Sequence, residues 1–194
     1  AKYFANIAQY DYAAFAMPID DRSAWGLSLI RFGVDDILNT TQLIDSDGNL
    51  DYNRISLYSN ADYGVTFSYA RKLPIQGFNY GVNAKVIRRI IGNFASSWGF
   101  GFDLGLQFEG QNDWKFGLML RDITTTYNTW SINEEEYEKI KNAVPGENQE
   151  LPETSEITLP KAQFGISKKF EFHYDYTLTT AANLNMEFAQ TNDI

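Results

Sequence analysis

The chain has 194 residues, a net charge of -9 and no cysteine. The lack of cysteine excludes disulfides, iron–sulfur clusters and thiol nucleophiles, and the acidic balance argues against a nucleic-acid partner, since phosphate binding needs concentrated Lys and Arg. With 44% hydrophobic residues and a mean hydropathy of -0.35, the composition fits one folded domain. No apolar run approaches the roughly 18 residues of a membrane-spanning helix.

Alternation between apolar and polar residues dominates the chain, which is typical of β-strands with two unlike faces. In chain order, the eight predicted strands are 3–17, 24–33, 62–73, 78–90, 98–108, 114–120, 161–170 and 174–188. We interpret this even number of long alternating strands as an all-β, antiparallel transmembrane β-barrel. A soluble sandwich, whose apolar face packs on a second sheet, gives the same alternation and is the alternative.

The predicted connections alternate in length along the chain. Tight turns lie at 18–23, 74–77, 110–113 and 169–173, and the intervening links are 34–61, 92–96 and 128–160. Outer-membrane barrels have short periplasmic turns and long extracellular loops, so the tight turns indicate the periplasmic end. The first strand then runs toward the periplasm, so a strand that runs in the opposite direction, away from the periplasm, is expected before it. We therefore interpret residues 1–194 as part of a larger barrel, with a complete eight-stranded barrel as the alternative.

One face of the strand pair 98–108 and 114–120 is apolar over a height that suits a membrane. Ten residue steps of about 3.4 Å, tilted by about 40°, rise about 26 Å, close to the apolar band of an outer-membrane barrel. Aromatic residues at both ends match the girdles found at lipid–water interfaces. The predicted lipid-facing residues are Trp98, Phe100, Phe102, Leu104, Leu106, Phe108, Trp114, Phe116 and Leu118.

Two charged residues, Arg31 and Asp122, also fall on outward positions of their strands. A charge that faces lipid at the midplane costs roughly 2–4 kcal/mol for Arg, and less for Asp or near the interface. Three explanations stay open: these residues lie at the interface, a protein partner covers them, or the alternation shifts by one residue.

The opposite face of the strands is polar and is predicted to line the barrel lumen. The predicted lumen-lining residues are Asn83, Lys85, Arg89, Asp103, Gln107, Lys115 and Arg121. On the same face, a bare patch that an internal segment can approach closely is expected at Gly99, Gly101, Gly105 and Gly117. We therefore expect an occupied lumen rather than a wide open pore.

The link 128–160 is predicted to be a long extracellular loop that contains a short acidic helix. Asn133 can cap this helix, and Pro145 and Gly146 end it. Acidic residues in the first turn suit the positive end of the helix dipole, so a solvated surface helix and a protein-binding helix both stay open. The predicted partner-binding residues are Asn133, Glu134, Glu135, Glu136, Tyr137, Glu138 and Ile140.

Metal binding and catalysis have little support in the sequence. Asp45, Asp47 and Asp51 are a weak calcium candidate, because their segment lacks the Glu that closes an EF-hand loop and an Asp-Gly turn explains the same residues. His173, the only histidine, lies in a predicted turn, and no Ser or Asp pattern places a nucleophile beside it. We expect a non-enzymatic protein that has no cofactor.

Three segments carry a resemblance to a known family. They are DYGVTFSYAR at 62–71, GVNAKVI at 81–87 and GFDLGL at 101–106. A Tyr-Ala-Arg strand end, a Gly-x-x-x-Lys strand and a small-x-Asp-x-Gly strand occur in this order and at compatible spacing. In these elements the chain resembles the PorV/PorQ family of the type IX secretion system.

The resemblance implies a fourteen-stranded barrel similar to FadL, with an N-terminal hatch, in which this chain supplies eight strands. It also implies a bacterial outer-membrane location and a protein-transport role. PorV-like proteins bind the C-terminal signal domain of secreted cargo that emerges from the SprA translocon, and PorQ-like proteins belong to the attachment complex. Two other functions stay open, namely a FadL-like transporter of hydrophobic small molecules and an outer-membrane hydrolase that uses His173.

Overall fold

The computed structural model describes residues 2–3, 8–40, 42–44, 49–143, 154–172 and 176–188. They form one antiparallel sheet of eleven strands, a 3-10 turn at Tyr52–Arg54 and one α-helix, α1, at Glu134–Ala143. The strands are β1 (Lys2–Tyr3), β2 (Ala8–Asp20), β3 (Ser23–Asn39), β4 (Ser56–Lys72), β5 (Phe78–Ile91), β6 (Ala95–Glu109), β7 (Trp114–Arg121), β8 (Thr126–Ile132), β9 (Ser155–Thr158), β10 (Lys161–Phe172) and β11 (Tyr176–Glu187). The predicted all-β antiparallel fold is confirmed, and the sheet curls into half of a barrel.

Strands that follow each other in the chain are neighbours in the sheet, with one local exception. The order from β1 to β7 continues directly into β10 and β11. β8 pairs with the other end of β6, and β9 pairs with β8. β7 and β8 therefore act as one kinked strand beside β6. In the same way, β9 and β10 act as one strand beside β8 and β7. Apart from the two-residue β1, eight long strands cross the sheet, as the alternation predicts.

The sheet has two unlike faces, and β6 shows them most clearly. Trp98, Phe100 and Phe102 are 51%, 57% and 49% exposed, whereas Ser97 and Asp103 on the other side of the strand are buried. Neighbouring strands pair in register, so the same division continues across the sheet. We call the side that carries Trp98 the apolar face and the side that carries Asp103 the polar face.

Burial in the described residues is the reverse of that in a soluble protein. The buried polar residues are Ser23, Ser97, Asp103, Asp122, Thr126 and Asn128, while the only buried hydrophobic residues in this part of the chain are Ala8 and Ala162. Large apolar side chains on the apolar face stay exposed in every long strand from β2 to β11. Soluble proteins bury side chains of this kind, so the apolar face needs a cover that the sheet does not supply.

Three tight turns lie at one end of the strands, which we call the turn end. They lie at 21–22, 73–77 and 110–113, close to three of the predicted positions. The predicted turn at 169–173 is wrong over most of its length, because β10 continues to Phe172. The backbone N–H groups of Arg22 and Ser23 donate to Asp20 Oδ1 at 2.8 and 2.7 Å. The bond from Arg22, with help from Ser23, lowers the pKa of the Asp20 carboxyl. The opposite end, which we call the loop end, carries α1, the long links between β3 and β4 and between β8 and β9, and a three-residue turn at 92–94.

Several predicted strand limits are wrong. The predicted strand 3–17 is divided, because β1 and β2 are separate strands that pair with each other. At the loop end β3 and β4 extend far beyond the predicted limits of 33 and 62. A bulge between Val34 and Ile37, where Asp36 has a φ of 58°, breaks the alternation and conceals the rest of β3. The link 128–160 is not one irregular loop, since it contains β9 and most of β8.

Helix α1 begins where the sequence predicts. The Glu136 N–H donates to Asn133 Oδ1 at 3.4 Å, and the Tyr137 N–H donates to the Asn133 carbonyl at 3.0 Å. The Asn133 N–H donates to the carbonyl of Phe94 at 2.8 Å, which ties the start of the helix to the connection between β5 and β6. None of the helical segments in the described ranges is long and apolar enough to cross a membrane.

Candidate functional site on the polar face

The polar face of β5 and β6 carries a buried group of charges. Lys85 Nζ lies 2.8 Å from Asp103 Oδ1 and 2.6 Å from Asp122 Oδ1. The three side chains are only 14%, 8% and 9% exposed, and we call them the ion cluster. Asn83 Nδ2 donates to Asp103 Oδ2 at 3.4 Å, and the Thr126 hydroxyl donates to Asp122 Oδ1. The structure thus brings together three residues that the sequence assigns to this face, Asn83, Lys85 and Asp103.

Asp122 is the member of the ion cluster that the sequence assigns to the wrong face. Asp122 and Thr125 have φ values of 54° and 61°, so the chain kinks between β7 and β8. The Asp122 N–H donates to Asp103 Oδ1, and the Ile123 N–H donates to the Phe102 carbonyl, both at 3.0 Å. The kink shifts the alternation, which turns the Asp122 carboxylate toward Lys85. The predicted outward position is therefore wrong, and a one-residue shift is the explanation.

The predicted bare glycine patch is only partly bare. A Cβ built on Gly99 would overlap the Asn128 amide, and one built on Gly101 would overlap the Thr126 hydroxyl and lie 2.8 Å from Lys85 Cε. At these two positions the missing side chains make room for the cross-strand neighbours in β8 and for the ion cluster. The prediction is wrong there because no strand is predicted at the position of β8, most of which falls within the predicted loop.

A second charged group lies on the same face, nearer the loop end. Arg89 Nε lies 3.3 Å from Asp62 Oδ1, and Arg89 Nη1 lies 3.3 Å from Glu156 Oε2. The guanidinium lies over the Trp130 ring, 5.5 Å from its centre, and Trp130 Nε1 donates to Glu156 Oε2 at 3.3 Å. These contacts join β4, β5, β8 and β9. The sequence identifies Arg89 alone, because its partners in β8 and β9 fall within the predicted loop.

A groove of about 610 Å³ crosses the polar face between the ion cluster and the turn end. Its glycine positions are Gly81, Gly105, Gly117 and Gly165. A Cβ on Gly117 would meet nothing within 4 Å, so this part of the predicted patch is bare. Gln107 and Lys115 line the groove, whereas Arg121 lies beyond it at the end of β7. The groove and the ion cluster together form the candidate functional site.

The apolar face contains all the residues that the sequence predicts to face lipid. Across β6 and β7, Phe108 and Phe116 stack with ring centres 6.1 Å apart, and the rest of the set continues along the same side. Arg31 is on this face too, near the loop end, where Asp11 and Asp35 each lie 3.5 Å from its guanidinium. These two carboxylates account for a charge at the border of an apolar surface.

Helix α1 lies at the loop end with its acidic first turn beside the connection between β5 and β6. Glu134, Glu135 and Glu138 are exposed, and Glu136 and Tyr137 are half-buried. Of the predicted partner-binding residues, the structure assigns a defined local role to Asn133, which caps the helix. The side chain of Ile140 lies outside the described residues.

The weak calcium candidate is described only at Asp51. Its Oδ1 accepts from the Asn53 N–H at 3.0 Å, and its Oδ2 lies 3.4 Å from Arg54 Nε, so the side chain caps the 3-10 turn. Asp45, Asp47 and His173 lie outside the described residues. Elsewhere, in the ranges that the structure covers, no group of three or more His, Cys, Asp or Glu side chains is arranged to hold a metal ion.

No family model and no curated protein matches this sequence. The resemblance to the PorV/PorQ family therefore rests on the three short segments. In the structure, the Tyr-Ala-Arg element ends at Arg71, near the turn end of β4. The Lys of the second element and the Asp of the third are Lys85 and Asp103, which form an ion pair. The two elements thus meet at the candidate site.

Proposed function

We propose that the chain forms part of a bacterial outer-membrane β-barrel in which lipid covers the apolar face. The reversed burial carries this proposal: polar side chains are enclosed while large apolar ones are exposed along every long strand. A membrane is the solvent for which such a surface is suited, and strands cross it with their backbone hydrogen bonds satisfied inside a closed barrel. The polar face then lines the lumen, and the loop end is extracellular.

Within this membrane role, we propose a non-enzymatic, PorV-like function in type IX secretion. The barrel binds secreted cargo, through its C-terminal signal domain, or the large SprA-like translocon subunit. Support comes from the three segments that resemble the family. The second and third of these segments are joined in the structure by the ion pair between Lys85 and Asp103. The acidic helix α1 and the paired strands β8 and β9 form an ordered surface at the loop end. Ordered loops on a rigid scaffold are common sites of protein binding.

The first test asks whether the apolar face requires an amphiphile. The refolded chain is expected to co-float with phospholipid vesicles in a density gradient, and to aggregate when detergent is removed without lipid. The reason is the exposed apolar area, which water does not tolerate over a whole sheet face. A monodisperse species in detergent-free buffer would contradict the proposal and support a soluble sandwich.

The second test concerns the loop end. Residues 134–153 are replaced by a short Gly-Ser linker, which keeps the pairing of β8 with β9; the Trp130 N–H to Thr154 carbonyl bond of 2.7 Å holds the two ends together. Affinity purification in mild detergent is expected to lose the cargo or the translocon subunit that the unaltered barrel retains. A matched variant keeps the helix and changes Glu134, Glu135 and Glu138 to Gln, which separates the effect of charge from that of the whole segment. Full retention by the linker variant would contradict the assignment of this surface.

A FadL-like transporter of hydrophobic small molecules is the second candidate, and the groove on the polar face favours it. Its volume of about 610 Å³ lies within the range of small-molecule sites. Asn79, Gln107 and Lys115 in its wall give it polar character, which suits a fatty acid poorly. Saturable binding of a fluorescent fatty acid that is lost in Gly117→Trp would favour transport over protein binding.

A further inference from the structure

Two basic residues on the apolar face lie over aromatic rings at opposite borders of that face. At the loop-end border, the Arg88 guanidinium lies 4.9 Å from the centre of the Trp98 ring. At the turn-end border, Lys168 Nζ lies 4.8 Å from the centre of the Trp114 ring and 4.9 Å from that of Phe170. Both cations are half-buried. Neither residue is among those predicted from the sequence to have a role, although each lies on the same side of its strand as its apolar neighbours.

The strand geometry relates the two borders to the thickness of a bilayer. Trp98 lies in β6, and Gly110, whose N–H donates to the Trp114 carbonyl at 2.8 Å, lies 12 residues further along the chain. At about 3.4 Å per residue and a tilt of about 40°, this separation rises about 31 Å. The hydrocarbon core of a bilayer is about 30 Å thick. The two cations therefore lie at the depths where phosphate groups of lipids begin.

The charge around these cations differs from that around Arg31. Arg31 has two carboxylates within 3.5 Å, so it has no net attraction for an anion. Within the described residues, the contacts of Arg88 are the Trp98 ring and the Ser97 carbonyl at 3.4 Å, and those of Lys168 are the two rings. Most of their N–H donors thus remain available, and an aromatic ring holds each stem against the sheet.

We propose that Arg88 and Lys168 each bind the phosphate of an anionic lipid headgroup, one at each border of the apolar face. This inference rests on the proposed membrane location of the apolar face and adds a specific lipid contact to it. Long basic side chains at a membrane border extend toward the headgroups, and a phosphate oxygen accepts several of their hydrogen bonds. The rings beside them are of the type that occupies the interface. Trp98 and Trp114 thereby position the two cations.

Native mass spectrometry of the refolded chain in detergent micelles tests this proposal. The micelles contain either phosphatidylglycerol or phosphatidylcholine, and the retained lipid is counted. The unaltered chain is expected to retain phosphatidylglycerol preferentially. Each lost cation is expected to reduce this retention about fivefold, so Arg88→Gln with Lys168→Gln removes the preference. The matched control carries Lys115→Gln and Arg121→Gln, which make the same change of charge on the polar face.

Three results would overturn the proposal. They are equal retention of the two lipids by the unaltered chain, unchanged retention by the variant with both apolar-face changes, and an equal loss in the polar-face control. Displacement of the lipid by excess inorganic phosphate would indicate a site for free phosphate instead. Flotation with vesicles is measured on the same samples: floating without a lipid preference contradicts only the headgroup site, whereas failure to float contradicts the membrane proposal itself.

Discussion

Lys85→Met is expected to lower the free energy of unfolding by about 3–5 kcal/mol, the usual effect of removing one partner from a buried ion pair. Lys85 is the only cation within 4 Å of Asp103 and Asp122 among the described residues, and both carboxylates are less than 10% exposed. Without Lys85 the two acidic groups repel each other in a place that excludes water. Urea titration in detergent micelles, followed by tryptophan fluorescence, measures the change.

The control for this experiment is Lys115→Met, which removes a cation from the same face. The Lys115 side chain is 53% exposed and lies 3.6 Å from Glu109, so its loss is expected to change the stability by at most about 1 kcal/mol. A second variant, Lys85→Met with Asp122→Asn, is expected to recover part of the loss, because Asp103 then faces a neutral amide. Equal effects of Lys85→Met and Lys115→Met would show that the ion cluster does not stabilise the sheet.

The sequence predicts the fold well wherever a strand keeps strict alternation. In β6, alternation from Ser97 to Asp103 predicts which side chains share a face, and the structure has the same division. The turn at 110–113 and the capping of α1 by Asn133 are predicted equally well, because both depend on residues adjacent in the chain. Local chemistry determines these features, so a single sequence is enough to identify them.

The candidate site is harder to predict because contacts between distant residues form it. Asn83, Lys85 and Asp103 are assigned to one face correctly, but nothing in the sequence indicates that Asp122 joins them. Asp tolerates left-handed backbone, but Thr125 is β-branched and the kink contains neither Gly nor Pro, so the sequence has no ordinary signal for the second left-handed residue.

The sequence does contain one signal for β8, the strand that the alternation does not predict. Gly99 and Gly101 lie on the polar face of β6 where larger residues are common, and such gaps indicate that neighbouring side chains occupy the space. Asn128 and Thr126 are those neighbours, and they alternate with outward residues as a strand requires. The two glycines thus indicate room for β8, a strand that ends at Ile132, inside the predicted loop 128–160.

Gly101→Ala is expected to destabilise the protein by about 1–3 kcal/mol, as overpacking usually does. The added Cβ would overlap the Thr126 hydroxyl and lie 2.8 Å from Lys85 Cε and 3.3 Å from Asp122 Oδ1. Either β8 moves away from β6 or the ion cluster separates, and both changes expose the kink at 122–125. Limited proteolysis at this kink and urea titration in micelles measure the local and the global effect.

Gly117→Ala is the matched control, because it is the same substitution on the same face and its Cβ meets nothing within 4 Å. It is expected to be neutral or to stabilise by up to about 1 kcal/mol, since Ala restricts the unfolded chain more than Gly does. Gly101→Ala combined with Thr126→Ala is expected to regain stability, because the hydroxyl that the Cβ overlaps is gone. If Gly101→Ala and Gly117→Ala had the same effect, close packing of β8 on β6 would not be what fixes the kink, and Asp122 would need another reason to face Lys85.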